Sequence, residues 1–288
     1  MEKDAFSRFH PAVNFCFFAC AIGFSVVVQH PAYLIAGLVC AMGYHLLLTG
    51  RKSWKLLSAM FPMVLLVSLL NPVINTRGDT VLFTYFDRPY TLEALCYGAA
   101  LGVMFALMMV WFGSYNLVLT SDKFVCLFGP LIPSLSLLLV MVLRLIPSFM
   151  RQTKKIAAAR ESIGRGGSAD ASFKGKVLSG MTTLSALTDW ALEGSIVTAD
   201  SMRSRGYGAA RRTSYRIYRM TLRDWVVLSL ELVLAVIVIA GRPSAEYGAT
   251  ITLSPITWHY LAYWALLLIP IILSWKEAIT WRILRSKI

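Results

Sequence analysis

FVCLFGPLIPSLSLLLVMVLRLIP, residues 124–147, is long and greasy enough to suggest a membrane crossing, and its reading decides the topology of the whole chain. A helix needs about 20 mainly apolar residues to cross the hydrocarbon core. Gly129-Pro130 and Pro133 break the segment near its start, and Arg144 and Pro147 interrupt its end. The unbroken apolar stretch from Ser134 to Leu143 is too short to span. The segment therefore reads as a broken helix, buried against a bundle or lying along the interface.

Working outward with the same ruler, six stretches qualify as spans: 12–30, 31–49, 56–74, 92–112, 225–241 and 258–275. His30-Pro31 separates the first two, because proline lacks a backbone donor and disfavours helix in the residue before it. Charge gives an independent test of parity. With six spans, one side of the membrane holds residues 1–11, 50–55, 113–224 and 276–288, which carry 25 of the 28 Lys and Arg. Only Arg77, Arg88 and Arg242 fall on the other side. A seventh crossing at 124–147 would move Arg51, Lys52 and Lys55 away from the large basic region. The positive-inside rule thus favours six spans with both termini cytoplasmic. The expected fold is an all-α polytopic membrane protein with about six transmembrane helices and a cytoplasmic pair of long helices. Three regions follow: helices 1–4 in 1–112 with an external loop at 75–91, a cytoplasmic insert at 113–224, and helices 5–6 with a basic tail in 225–288. The Gly78-Asp79 turn and the β-branched and aromatic residues after it predict a small external hairpin.

Composition agrees. Of 288 residues 57% are apolar and 15% charged, with a net charge of +13 and a mean hydropathy of +0.63. Soluble domains are about 45–50% apolar, so an ordinary cytosolic enzyme is excluded. The basic residues follow membrane topology, which argues against a nucleic-acid partner. Five cysteines, an odd number, argue against a disulfide framework. Cys16 and Cys20 stand one helical turn apart, yet they read as small core hydrophobes in preference to metal ligands. The four histidines show no ligand spacing, and no metal site is expected. Glu231, about two turns in from the end of the fifth span, is an intramembrane acid and so a candidate for a proton or ion role.

The insert is where function is expected. Residues 113–223 hold 16 basic and 6 acidic side chains. In 177–202, apolar Leu184, Leu187, Ala191 and Ile196 recur at helical spacing while Asp189, Glu193 and Asp200 disfavour insertion, so this is one long amphipathic helix packed on another. Residues 148–164 form a second, more basic helix. Their ends repeat: ARESIGRG (159–166) and ADSMRSRG (199–206) share alanine, five residues, then Arg-Gly. Glycine there suits a left-handed helix cap, and arginine complements the negative end of the helix dipole. Each pair is open to two readings, plain capping or a docking element.

The run TADSMRSRGYG (198–208), with Trp190 to Glu193 before it, resembles the second coupling motif of the T component of energy-coupling factor transporters, the EcfT/CbiQ family. The stretch from Asn71 to Gly98, with Asn71-Pro72, GDTVLF (78–83) and TLEALCYG (91–98), is similar to that family's external loop and next helix. The resemblance implies the transmembrane scaffold of an ATP-binding-cassette importer for a vitamin or transition-metal ion. Its implied partners are two cytoplasmic ATPase subunits, as a homo- or heterodimer, and a membrane-embedded S component that captures substrate. The implied coupling residues are Arg205, Ala199 and Gly206, with Arg203 in the same turn. At the first motif they are Arg165 with Ala159 and Gly166, or Arg160 as the alternative anchor. No cofactor is expected on the chain itself, since ATP is hydrolysed by the partners. Gly175-Lys176 lacks the upstream glycine and following Ser or Thr of a phosphate loop, so the chain is not expected to be an enzyme. The competing classes are an integral-membrane lipid-modifying enzyme, for which the acids show no paired spacing, and a conventional substrate-binding permease, for which the spans offer almost no polar centre.

Overall fold

The computed structural model of the chain describes residues 4–76, 78–85, 88–129, 133–164, 173–209, 218–243, 245–247 and 251–285. It divides into two compact units, Met1–Phe124 with Tyr218–Ile288, and Val125–Ile217.

The first unit begins with α1 (Pro11–Val27) and α2 (Pro31–Thr49), and both open on a His-Pro pair. Proline fits the first helical position because its missing N–H has no partner there anyway. The histidine before it caps the helix: Nδ1 of His10 accepts from the Ala12 amide and Nδ1 of His30 from the Ala32 amide, each at 3.2 Å. Nε2 of His30 also meets the Ser254 carbonyl at 3.1 Å, which assigns the Nε2–H tautomer. Burial holds the His10 imidazole below its ordinary range, against an upward pull from Asp224. The cap needs the neutral ring, so its stabilisation is complete above the ordinary histidine pKa of about 6.5. It is lost as pH falls through the lowered folded value. A His10→Asn variant keeps a capping oxygen that does not titrate. Its melting temperature should fall less than the wild type's between neutral and mildly acidic pH, as differential scanning fluorimetry would show.

Next come α3 (Ser53–Ile74), a hairpin of β1 (Val81–Tyr85) and β2 (Arg88–Thr91), and α4 (Leu92–Val118). The hairpin is antiparallel, with Phe83 opposite Tyr90, their rings stacked at 4.5 Å. Glu93, a lone acid at the start of α4, organises the loop before it by accepting from the Thr80 hydroxyl at 2.6 Å. On α4, Gly98 and Gly102 share one face and meet α3 backbone to backbone. A Cβ at Gly98 would stand 2.9 Å from the Ser68 carbonyl, and one at Gly102 would stand 2.9 Å from the Val64 carbonyl. This is the small-residue spacing that lets two membrane helices approach closely.

The unit closes with α8 (Leu222–Ala240), a second antiparallel hairpin of β3 (Ala245–Tyr247) and β4 (Ile251–Leu253), and α9 (His259–Arg285). Among the described residues three helices lie between α4 and α8 in the chain: α5 (Ser121–Phe128), α6 (Pro133–Ser162) and α7 (Phe173–Ser204). Among the described residues, length and composition qualify three segments to cross a membrane, Pro31–Leu56, Leu92–Val118 and His259–Glu277, with Pro11–Val27 and Ser58–Ile74 as shorter apolar helices. Helix α8 carries Arg223, Asp224 and Glu231 and is not among them. An all-α membrane protein is the fold class.

One carboxylate joins α1 to α8. Asp224 Oδ1 accepts from the His10 amide at 2.9 Å, and Oδ2 accepts from the amide and hydroxyl of Thr221, both at 2.7 Å. It therefore serves the N-terminal ends of two helices more than 200 residues apart. Residues 4–8 pin the same end of the bundle. Asp4 accepts from Tyr44 Oη on α2 at 2.7 Å and from the Ser274 hydroxyl on α9. Phe6 is fully buried and meets Phe17 edge-on at 5.2 Å, and Phe17 meets Trp111 at 5.5 Å. The buried Lys123 ammonium donates to the Ser7 carbonyl, to Ser7 Oγ at 2.9 Å and to the Val118 carbonyl at 3.1 Å. Arg8 pairs with Glu277 at 2.5 Å.

One expectation needs correction. Segment 124–147 is broken between α5 and α6, but its later part does not stop at Arg144 or Pro147. It runs on as one helix to Ser162. Proline 147 forfeits one backbone bond, and strong helix formers on both sides carry the helix across it. The loop 242–257 holds the second hairpin, β3 paired with β4.

Candidate coupling elements on the α6–α7 hairpin

Within the second unit α6 and α7 pack as an antiparallel pair. Phe149 meets Trp190 edge-on at 5.7 Å, and Arg160 Nη2 donates to Ser179 Oγ at 3.4 Å. Eleven residues forward on α6 thus correspond to eleven back on α7, a steady antiparallel register. The α7 face toward α6 is formed by Ser179, Thr183, Leu187, Trp190 and Ala191, all partly buried. Leu184 and Ile196, expected on that packed face, are instead more than 60% exposed. A single neighbour covers only one side of a helix. Leu178, Met181, Leu184, Leu192 and Ile196 fall within the remaining arc and form an apolar stripe along α7, interrupted by Ser185 and Thr188.

The end of α7 is a complete capping motif. The Tyr207 amide donates to the Met202 carbonyl and the Gly206 amide to the Arg203 carbonyl, each at 3.0 Å. Gly206 has φ +74°, the left-handed turn that glycine enters without a Cβ penalty. Arg203 and Arg205 are exposed, as are Ala199 and Gly206. The motif holds the backbone of Arg205 rigidly while its guanidinium stays in solvent.

At the end of α6 the left-handed glycine is Gly164, with φ +71° and its amide donating to the Glu161 carbonyl at 3.0 Å. It comes two residues before the glycine of the sequence repeat. Arg165 and Gly166 lie outside the described residues. Ala159 is exposed and Arg160, half-buried, lies along α7 through Ser179. The two helix ends fall at opposite ends of the hairpin. From Ser179, beside Arg160, to Ser204, beside Arg205, α7 rises 25 residues, roughly 38 Å at 1.5 Å each. Sequence periodicity could locate each end but not this separation, which follows only from the antiparallel register.

The model of the family described as cobalt transport protein, CbiQ, matches residues 3–215. The energy-coupling factor transporter transmembrane protein EcfT of Lacticaseibacillus paracasei is 31% identical over 207 residues, covering 65% of this chain and 75% of that one. The protein of the same name from Staphylococcus aureus is 28% identical over 199 residues, covering 64% and 73%. A helical membrane chain matched by the family model from residue 3 to residue 215 belongs to the CbiQ/EcfT family of energy-coupling factor transporter transmembrane components.

Proposed function

We propose that the chain is the multi-pass scaffold of a micronutrient importer, taking up a vitamin or a transition-metal ion, with both termini in the cytoplasm. Two ATPase subunits dock beneath it, one at each end of the α6–α7 hairpin, and hydrolyse the ATP. The chain is not an enzyme and binds no cofactor. Arg205, with Arg203, Ala199 and Gly206, forms one docking end. Arg160 or Arg165, with Ala159 and Gly166, forms the other. The single observation that carries this reading is the roughly 38 Å separation of two capped, arginine-bearing helix ends on one antiparallel hairpin. Closure of an ATPase dimer moves its two halves relative to each other, and a hairpin that grips one half at each end converts that motion into a tilt. The apolar stripe of α7 supplies a contact for the membrane-embedded S component, since exposed patches of this kind mark interaction surfaces.

The test is co-purification of a tagged chain from cells that co-express the two ATPases and the S component. Leu184→Glu with Ile196→Glu should lose most of the S component and keep the ATPases. Retention of all partners by this variant, with unchanged uptake, would remove the stripe from the proposal. Failure of the unmodified chain to bring down any ATPase would overturn the reading as a whole.

A further inference from the structure

Glu231 is the tenth of the nineteen residues of α8, midway along a helix packed between α1 and α9. It is fully buried, and neither carboxyl oxygen has a hydrogen-bond partner. Every other buried acid described here is engaged: Asp4 by Tyr44 and Ser274, Asp224 by three donors, Glu93 by Thr80. The groups that face Glu231 from α1 are the thiols of Cys16 and Cys20, which lie within hydrogen-bond reach of each other and within electrostatic reach of the carboxyl. Helix α9 places no ionisable residue between Tyr263 and Lys276, and α8 itself none between Asp224 and its end other than Glu231. Among the described residues no cation is at hand to balance a carboxylate there. Among the described residues no group of three or more His, Cys, Asp or Glu is placed to hold a metal ion.

A carboxylate with neither a hydrogen bond nor a counter-charge costs several kcal/mol in such surroundings, and a side chain avoids that cost by keeping its proton. We propose that Glu231 is a proton-binding site within the membrane: a neutral carboxylic acid that keeps its proton while α1 and α8 stay in contact and yields it to water when that interface opens. With the proton bound, α8 is uncharged from Trp225 to Ala240, which fits a segment in hydrocarbon. With the proton gone, the carboxylate must reach water, and the route lies past Cys16 and Cys20. Proton occupancy and separation of α1 from α8 are then two readings of one equilibrium.

The experiment uses the full chain in lipid vesicles. Infrared difference spectra over a pH series should show a protonated-carboxyl C=O band at neutral pH, absent in Glu231→Gln and lost only under alkaline conditions. In a background of Cys40→Ser, Cys96→Ser and Cys126→Ser, alkylation of Cys16 and Cys20 by a membrane-permeant maleimide should rise several-fold more across that same pH step than it does with Glu231→Gln. Glutamine copies the neutral acid, so this variant should fold and stay closed. Absence of the band at neutral pH, or its loss in the ordinary glutamate range near 4.3, would overturn the proton site. Equal alkylation profiles with and without Glu231→Gln would overturn the coupling to interface opening.

Discussion

Arg205→Glu should abolish recovery of the ATPase proposed to dock at the α7 end while the chain still inserts in the membrane and melts at an unchanged temperature. The side chain is exposed, and the capping bonds that fix its backbone come from the amides of Gly206 and Tyr207. Removing it therefore costs the isolated chain little. For a partner it supplies a rigidly mounted guanidinium suited to bidentate pairing with carboxylates. Buried arginine anchors at interfaces cost at least about 2 kcal/mol on truncation, and reversal of charge adds repulsion. A total of about 3–4 kcal/mol weakens binding by roughly two to three orders of magnitude. Arg205→Lys should recover part of the loss, because the charge stays and the fork does not. Combining Arg205→Glu with Arg165→Glu should be worse than either alone if both ends dock. Co-purification with both ATPases, together with normal uptake, would remove Arg205 from the coupling role.

Gly102→Leu should strongly destabilise the bundle. The substituted Cβ would meet the Val64 carbonyl at 2.9 Å and the Val64 Cα at 3.1 Å. Both are backbone atoms, so no rotamer relieves the clash, and α3 has to move away from α4. Overpacking typically costs about 1–3 kcal/mol, and a contact against fixed backbone belongs at the upper end. Gly23 offers a control, since a Cβ there meets nothing within 4 Å. Gly23→Leu should leave the melting temperature in detergent close to that of the wild type, and Gly102→Leu should lower it by several degrees. Equal melting temperatures would show that the α3–α4 crossing tolerates a wider separation.

Much of this architecture was legible in the chain because its strongest signals are local. Twenty apolar residues between breakers mark a membrane helix without reference to anything distant. His10-Pro11 and His30-Pro31 set the starts of two of them. The end of α7 was legible for the same reason, since Gly206 stands directly after its last turn. What could not be read depends on partners far along the chain. Asp224 reads as an ordinary capping residue until α1 is set beside it. Gly98 and Gly102 read as helix-weakening glycines until α3 lies across them. At the end of α6, two glycines two residues apart, Gly164 and Gly166, were both fit to end a helix, and the repeat with α7 pointed to the later one. Pro147 misled in the opposite sense, because a proline's local cost is absorbed by a long helix with strong formers on each side.

The pinning of residues 4–8 has a consequence for how the protein is made. Asp4 and Arg8 are synthesised about 270 residues ahead of their partners Ser274 and Glu277. At roughly 5–20 residues per second, residues 4–8 wait on the order of 15–55 s for α9. During that interval neither Asp4 nor Arg8 has its α9 partner, and that end of the bundle stays unfastened. A chaperone or protease that meets the nascent protein finds residues 4–8 unsecured until α9 is in place.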